Sequence, residues 1–234
     1  MIDIRGLTVA YPDGTRAVED VTLTVGDGES VALIGANGAG KTSLLLALVG
    51  ILPSEGAVEV DGLTLGKKTA ASMRERIGLV FQNPDDQLFM PTVFDDVAFG
   101  LRNRGLPESE IRVRVDECLA RLGIAALGAR TPLKLSGGEK RMAALATVLV
   151  MEPRVMLFDE PTAFLDPRAR RVFADALTAL PQARIVATHD LAFAARRCTR
   201  AVLLREGRIY ASGPAAELLR DTAAMAACGI DPGD

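Results

Sequence analysis

Gly35-Ala36-Asn37-Gly38-Ala39-Gly40-Lys41-Thr42 reads as glycine, four residues, then Gly-Lys-Thr, the spacing of a phosphate-cradling loop. Ahead of it lies Ser30-Val31-Ala32-Leu33-Ile34, a short apolar run of the buried parallel-strand type. Behind it, Ser43-Leu44-Leu45-Leu46-Ala47-Leu48-Val49 reads as a helix. Strand, loop and helix come in the order that phosphate binding requires. Glycine lets backbone N–H groups turn inward, and the helix N-terminus adds positive potential. Lys41 would reach the β- and γ-phosphates of a nucleotide, and the Thr42 hydroxyl would ligate Mg²⁺. The loop as a whole, through Ser43, would wrap the phosphates. An ordinary glycine turn would not need these flanks.

Val155-Met156-Leu157-Phe158-Asp159-Glu160 is a buried-type strand ending in two acids. Beside a phosphate loop, Asp159 would hold the magnesium shell. Glu160 would polarise a water for attack on the γ-phosphate as a general base. Leu135-Ser136-Gly137-Gly138-Glu139 opens a helix running to Met151. Ser136, Gly137, Gly138 and Glu139 expose backbone donors at that helix start, which makes a second potential phosphate site. The same residues also suit a plain helix cap.

Taken together, the phosphate loop, Leu-Ser-Gly-Gly-Glu and the Asp-Glu strand resemble the ATPase subunit of ABC transporters over nearly the whole chain. The resemblance implies an α/β fold. It has a P-loop NTPase (RecA-like) core with a parallel sheet, an N-terminal antiparallel β subdomain and an inserted α-helical subdomain. It also assigns roles to matching positions. Tyr11 stands where the family stacks an aromatic on adenine. Gln82 is similar to the glutamine that contacts magnesium and senses the transmembrane subunit. His189 is similar to the switch histidine at the γ-phosphate. Asp166 matches the loop that crosses between two ATPase subunits, although Phe164 replaces the small residue usual there. The implied cofactors are ATP and Mg²⁺. The implied partners are a second ATPase subunit, identical or paralogous, and a transmembrane transporter subunit. One copy of each motif in one chain fits a head-to-tail dimer, because a phosphate held by one loop still lacks donors on its outer face.

Residues 80–100 narrow the group. Val80-Phe81-Gln82-Asn83-Pro84-Asp85-Asp86-Gln87-Leu88-Phe89, Pro91-Thr92-Val93 and Asp95-Asp96-Val97-Ala98-Phe99-Gly100 resemble energy-coupling-factor ATPases of vitamin and metal importers. Cobalt and nickel uptake ATPases are the nearest in kind. Phe81 and Phe99 read as core. Leu88, Phe89 and Met90, next to two acids and a proline, read as a docking groove for a partner's helix. A soluble ABC protein acting on nucleic acid or ribosomes would carry long coiled coils or two ATPase halves, and an exporter ATPase is a further alternative. A small-molecule P-loop kinase leaves 135–139 unexplained.

The remaining features set limits. The chain has 234 residues, 49% hydrophobic, with a net charge of −3. That balance gives no basic footprint for nucleic acid. Cys118, Cys198 and Cys228 lack ligand or redox spacing and suit a reducing cytosol. The first residues lack signal-peptide character, and no apolar stretch reaches membrane-spanning length, so the expected place is the cytoplasmic face of the membrane. In order, 2–10 and 21–25 read as alternating strands, 56–62 as an exposed strand and 77–81 as a buried one. Helical spacing marks 95–101, 108–122 and 139–151, and strand character returns at 155–158, 184–187 and 201–204. One ABC ATPase domain over 1–234 is expected. Its core is 1–82 and 153–211, its helical subdomain 83–152, and its tail 212–234 holds at most one helix.

Overall fold

Alternating apolar residues near the N-terminus build an antiparallel sheet in the order β2-β1-β4-β5. Its strands are β1 (Ile2–Ala10), β2 (Arg16–Val25), β4 (Glu55–Val60) and β5 (Leu63–Thr64). The continuous apolar runs instead build a six-stranded sheet in the order β10-β9-β3-β8-β7-β6. These strands are β3 (Ser30–Ile34), β6 (Ile77–Val80), β7 (Val155–Asp159), β8 (Ala183–Ala187), β9 (Arg200–Arg205) and β10 (Arg208–Pro214). Strand β3 runs parallel to β8 and β9, and β7 parallel to β8, while β10 returns antiparallel to β9. Every residue of β3, β7 and β8 is buried, as strands covered on both faces require. This is a computed structural model, and it describes residues 1–230.

The described chain forms two compact units. The first takes Met1–Leu79, Arg154–Glu160 and the chain from Pro181 onward. One hydrophobic core joins its two sheets. Ile2, Ile4 and Val25 meet Val31, Leu33, Leu157 and Ile185, with Leu44, Leu45 and Leu48 of α1 (Lys41–Leu48). The same unit holds α2 (Ala70–Arg76), α7 (Leu191–Arg197), α8 (Ala215–Leu218) and α9 (Thr222–Ala227). The second unit, Val80–Pro153 with Pro161–Leu180, is helical. It comprises α3 (Val93–Asn103), α4 (Glu108–Arg121), α5 (Gly137–Leu149) and α6 (Pro167–Thr178), with α3 and α6 both packed on α5.

Several sequence expectations change. The strand at 56–62 is half-buried, because pairing with β1 turns Val58 and Val60 into the core. The region after Ser212 holds two short helices, α8 and α9, where at most one was expected; residues 231–234 of that tail lie outside the described residues. Leu88 is buried rather than part of an outer groove, while Phe99 is exposed rather than core. The three cysteines are buried free thiols, and burial pushes the Cys118 thiol up to about 11.

Candidate functional site

In the first unit, the site gathers at the carboxyl ends of β3, β7 and β8, where a parallel sheet places its ligands. The loop after β3 is fixed from beneath by other backbone. A Cβ on Gly35 would lie 2.5 Å from the Leu204 carbonyl oxygen, and one on Gly40 would lie 2.1 Å from that of Ala17. Gly40 also has φ 99°, a conformation that side chains disfavour. Asn37 and Gly38 at the loop tip are exposed, whereas Ala39 is buried and Ala36 half-buried. No side chain caps α1 at Gly40, so its first N–H groups remain available as donors.

Lys41 is buried and folds over the loop, its Nζ donating to the carbonyls of Gly35 (2.7 Å) and Ala36 (3.1 Å). Burial pushes its ammonium below the usual lysine range, opposed by the nearby charges of Glu160 and Asp159. The Thr42 hydroxyl donates to Asp159 Oδ2 at 2.8 Å. Burial raises the Asp159 carboxyl above the ordinary range, partly offset by that hydrogen bond. Glu160 sits just past β7 with φ 44°, a strained setting for a non-glycine residue. Its N–H donates to the Ala187 carbonyl at 2.8 Å, and its Oε2 accepts the His189 N–H at 3.2 Å and lies 2.9 Å from His189 Nδ1. His189 projects outward and the Glu160 carboxylate lies mostly buried. Tyr11 is exposed, and its hydroxyl pairs with Ser43 Oγ at 2.9 Å. Thr42 and Asp159 are hard oxygen donors, and the nearby Lys41 only partly offsets the burial of the carboxylate. That pair suits Mg²⁺, which takes one or two carboxylates and completes its shell with phosphates and water.

The second unit carries Gln82, Ser136–Glu139 and Asp166. Ser136 caps α5: its hydroxyl accepts the Glu139 N–H at 3.4 Å, and Glu139 Oε2 accepts from the Ser136 N–H and hydroxyl, both at 2.8 Å. Those bonds, and Arg130 at 3.1 Å, hold the Glu139 carboxyl below its usual range. The segment is therefore a full capping box as well as an exposed row of donors. A Cβ on Gly138 would lie 2.7 Å from Ala169 Cβ, whereas one on Gly137 would meet nothing within 4 Å. Asp166 caps α6, accepting from the N–H groups of Arg168 and Ala169 at 2.9 Å each. Phe164, two residues earlier, is 94% exposed with φ 61°.

Two residues that the sequence reading missed shape this unit. Gln87 donates to the Ala144 carbonyl (2.8 Å) and Thr147 Oγ1 (2.7 Å) while accepting the Phe81 N–H at 3.2 Å. Arg141 is buried and donates to three carbonyls. A signal for Arg141 was present: at helical spacing it falls on one stripe with Leu145 and Leu149, both buried. Near the end of the same segment, Phe89 (62% exposed) and Phe99 (40%) stack edge-to-face, with centroids 5.1 Å apart. Asp96 Oδ1 pins that turn by accepting the N–H groups of Phe89 and Met90 at 3.0 and 2.9 Å.

Comparison with known proteins places the geometry. The family model described as ABC transporter matches residues 18–163. The cobalt import ATP-binding protein CbiO of Rhodobacter capsulatus is 46% identical, covering 97% of this chain and 84% of that protein. The energy-coupling factor transporter ATP-binding protein EcfA of Methanothermobacter thermautotrophicus is 44% identical, over 94% of this chain and 73% of that one. Among solved structures, CbiO1 of Clostridium perfringens, part of the ABC transporter complex CbiONQ, superposes with a TM-score of 0.85 at 37% identity. That match covers 97% of this chain and 93% of the other. The ATP-binding cassette MJ0796, a dimer bound to ADP and Pi, gives 0.81 at 26% identity, covering 92% and 99%.

Proposed function

This chain belongs to the ABC transporter family and is an ATP hydrolase of the energy-coupling-factor type, and from that premise we propose that it powers an importer of cobalt, nickel or a vitamin. In this reading it works as a sandwich dimer, with a second copy or a paralogue, on the cytoplasmic face of a membrane protein. ATP would lie between the P-loop of one subunit and Ser136–Glu139 of the other. The observation that carries the reading is the strand-end cluster of Lys41, Thr42, Asp159, Glu160 and His189 in one unit. Its donors and carboxylates meet the needs of phosphoryl transfer to water.

Each residue then has a task. Gly35 to Ser43 would hold the phosphates through backbone donors, Lys41 would leave its loop carbonyls for the β- and γ-phosphates, and Tyr11 would stack on adenine. Thr42, Asp159 and Gln82 would hold Mg²⁺, which draws charge off the phosphates when bound. Glu160 Oε2 would take the proton of the attacking water, with His189 aligned on the same carboxylate. The second subunit's Ser136, Gly137, Gly138 and Glu139 would close the outer face of the triphosphate, and Asp166 would line the seam. A membrane subunit's helix would dock against the exposed Phe89–Phe99 pair, near which Asp86 suits a basic flank, Asp85 being paired with Lys140.

Glu160→Gln tests this arrangement. Hydrolysis should fall by roughly 10²–10⁴-fold, and the variant should accumulate as an ATP-bound dimer in size-exclusion chromatography. Hydrolysis at the parent rate would remove Glu160 from the base role. Phe89→Ser should leave ATPase activity and melting nearly unchanged and lower co-purification with co-expressed membrane subunits of an energy-coupling-factor importer. Unaltered assembly would place docking elsewhere.

A further inference from the structure

Arg141 is a buried cation whose acceptors are backbone carbonyls. It is 2% exposed, and burial pushes its guanidinium below the usual arginine range. It lies in the second turn of α5. Among the described residues its hydrogen bonds go to no carboxylate, and its Nε has no partner.

What the guanidinium does is geometric. One terminal nitrogen donates to the carbonyls of Phe81 (2.9 Å) and Gln82 (2.7 Å), the other to that of Ala163 (3.3 Å). The first two carbonyls lie just past β6, where the sheet ladder stops and backbone acceptors need new partners. Gln87 fixes the other side of the same residue through the Phe81 N–H. The third carbonyl lies in the loop between β7 and α6, three residues before Asp166. A planar fork with five donors can serve two segments at once, which a lysine ammonium on its flexible stem does less well. The same segments line one groove of about 320 Å³ with Gln82, Gly137, Arg141 and Phe164 in its wall.

We propose that Arg141 is a positioning residue for ATP hydrolysis: it ties Gln82 and the 161–166 loop to the start of α5, so that they move as one block. The proposal rests on the role given above to Gln82. ATP affinity at the P-loop belongs to the first unit, whereas every partner of Arg141 belongs to the second. Loss of the fork should therefore act on turnover and leave nucleotide affinity alone.

The full chain is compared with Gln82→Ala, Arg141→Met, Arg141→Lys and the Gln82→Ala/Arg141→Met double variant, reading kcat, KM for ATP and melting temperature. Arg141→Met should lower kcat by about ten- to a hundredfold, the cost of misplacing a catalytic group by an ångström or less, with KM within about twofold. Arg141→Lys should recover part of that loss. On the Gln82→Ala background, Arg141→Met should cost less than about threefold more, because coupled residues are non-additive. A folded Arg141→Met with the parent's kcat overturns the proposal, as does a loss that multiplies fully with that of Gln82→Ala. Failure of both Arg141 variants to fold would make the residue structural and overturn it too. If Gln82→Ala alone leaves kcat unchanged, it is the role of Gln82 that fails, and that result is separately visible.

Discussion

Two helix starts in this protein are assigned to phosphate in the function proposed above, and they are finished in opposite ways. At α1 the cap is Gly40, with no side-chain hydrogen bond. At α5 the cap is Ser136, locked with Glu139 in a reciprocal box. The first leaves orphan donors pointing into an already shaped loop, and the backbone around Leu204 and Ala17 makes that shape obligatory. The second satisfies the Ser136 and Glu139 N–H groups internally, so phosphate must share this start with a cap worth about 1 kcal/mol. Its Gly137 faces open space, so nothing among the described residues requires a glycine there. The first start is complete alone, and the second has the form of a surface kept for something outside the chain.

Substitutions that treat the two alike should break this contrast. Gly40→Ala should destabilise the protein by about 2–4 kcal/mol through backbone clash and positive-φ strain, with ATP binding lost. Differential scanning fluorimetry reads the first effect and nucleotide titration the second. Gly137→Ala should have the reverse profile. Melting should hold or rise slightly, by up to about 1 kcal/mol, because alanine suits a helix better. Hydrolysis should nonetheless fall by roughly tenfold or more, since the new methyl would stand where a second subunit's nucleotide closes. A Gly137→Ala protein with normal hydrolysis would mean that the open space at Gly137 is idle.

Ser136→Asp sharpens the same point. Aspartate is as good a cap as serine, and combined with Glu139→Gln, so that no carboxylate pair replaces the Ser136 hydroxyl's bond to Glu139, it should retain the fold while its charge opposes an incoming phosphate. Lost turnover with unchanged melting would separate the phosphate role from the capping role. Turnover near the parent rate would leave only the cap.

How much of this was readable in the sequence follows from the range of the forces involved. The loop of 35–42, the Asp159–Glu160 strand end and the Ser136–Glu139 box are local, and their spacing encodes them. The ladder of β7 and β8 was likewise visible as apolar runs, since a strand buried on both faces tolerates little else. Strand β10 was missed because Ser212, Gly213 and Pro214 look like a loop. It forms at an edge, where Pro is allowed. Helix α2 was missed because Met73 is its one fully buried residue, too little for a period to emerge. Leu88 and Phe99 exchanged places because burial there depends on the tertiary docking of α3 on α5, which no local pattern carries. Arg141 and Gln87 act on backbone carbonyls far along the chain, contacts invisible to spacing, although a charge on an apolar helical stripe is a usable flag.

Asp159 gives a pH-dependent test of the finished site. Burial raises its carboxyl in the folded state above the unfolded value. A raised group contributes stability below the unfolded pKa and loses it as pH rises through the folded pKa. Ionising Asp159 therefore costs the nucleotide-free protein stability as pH rises. Asp159→Asn removes the charge and keeps an acceptor for Thr42. Its melting temperature should exceed the parent's at neutral pH, with the gap shrinking toward acid, while Mg²⁺-dependent hydrolysis is lost. A variant less stable than the parent at neutral pH would show that attraction from Lys41 outweighs desolvation.

The smallest expected effect lies at Phe164, in the unit with the unfinished start. Its ring is almost wholly in solvent, and its backbone has φ 61°. The left-handed region costs an ordinary residue about 1–2 kcal/mol, while glycine enters it freely but gives up more entropy on folding. Removing so exposed a ring sacrifices little burial. The two backbone terms then leave Phe164→Gly more stable by up to about 1 kcal/mol. Chemical denaturation with a shared slope can resolve a gain of that size. A loss of stability instead would mean that the ring makes contacts in the folded chain, and that this loop, like Gly35 and Gly40, is held from within.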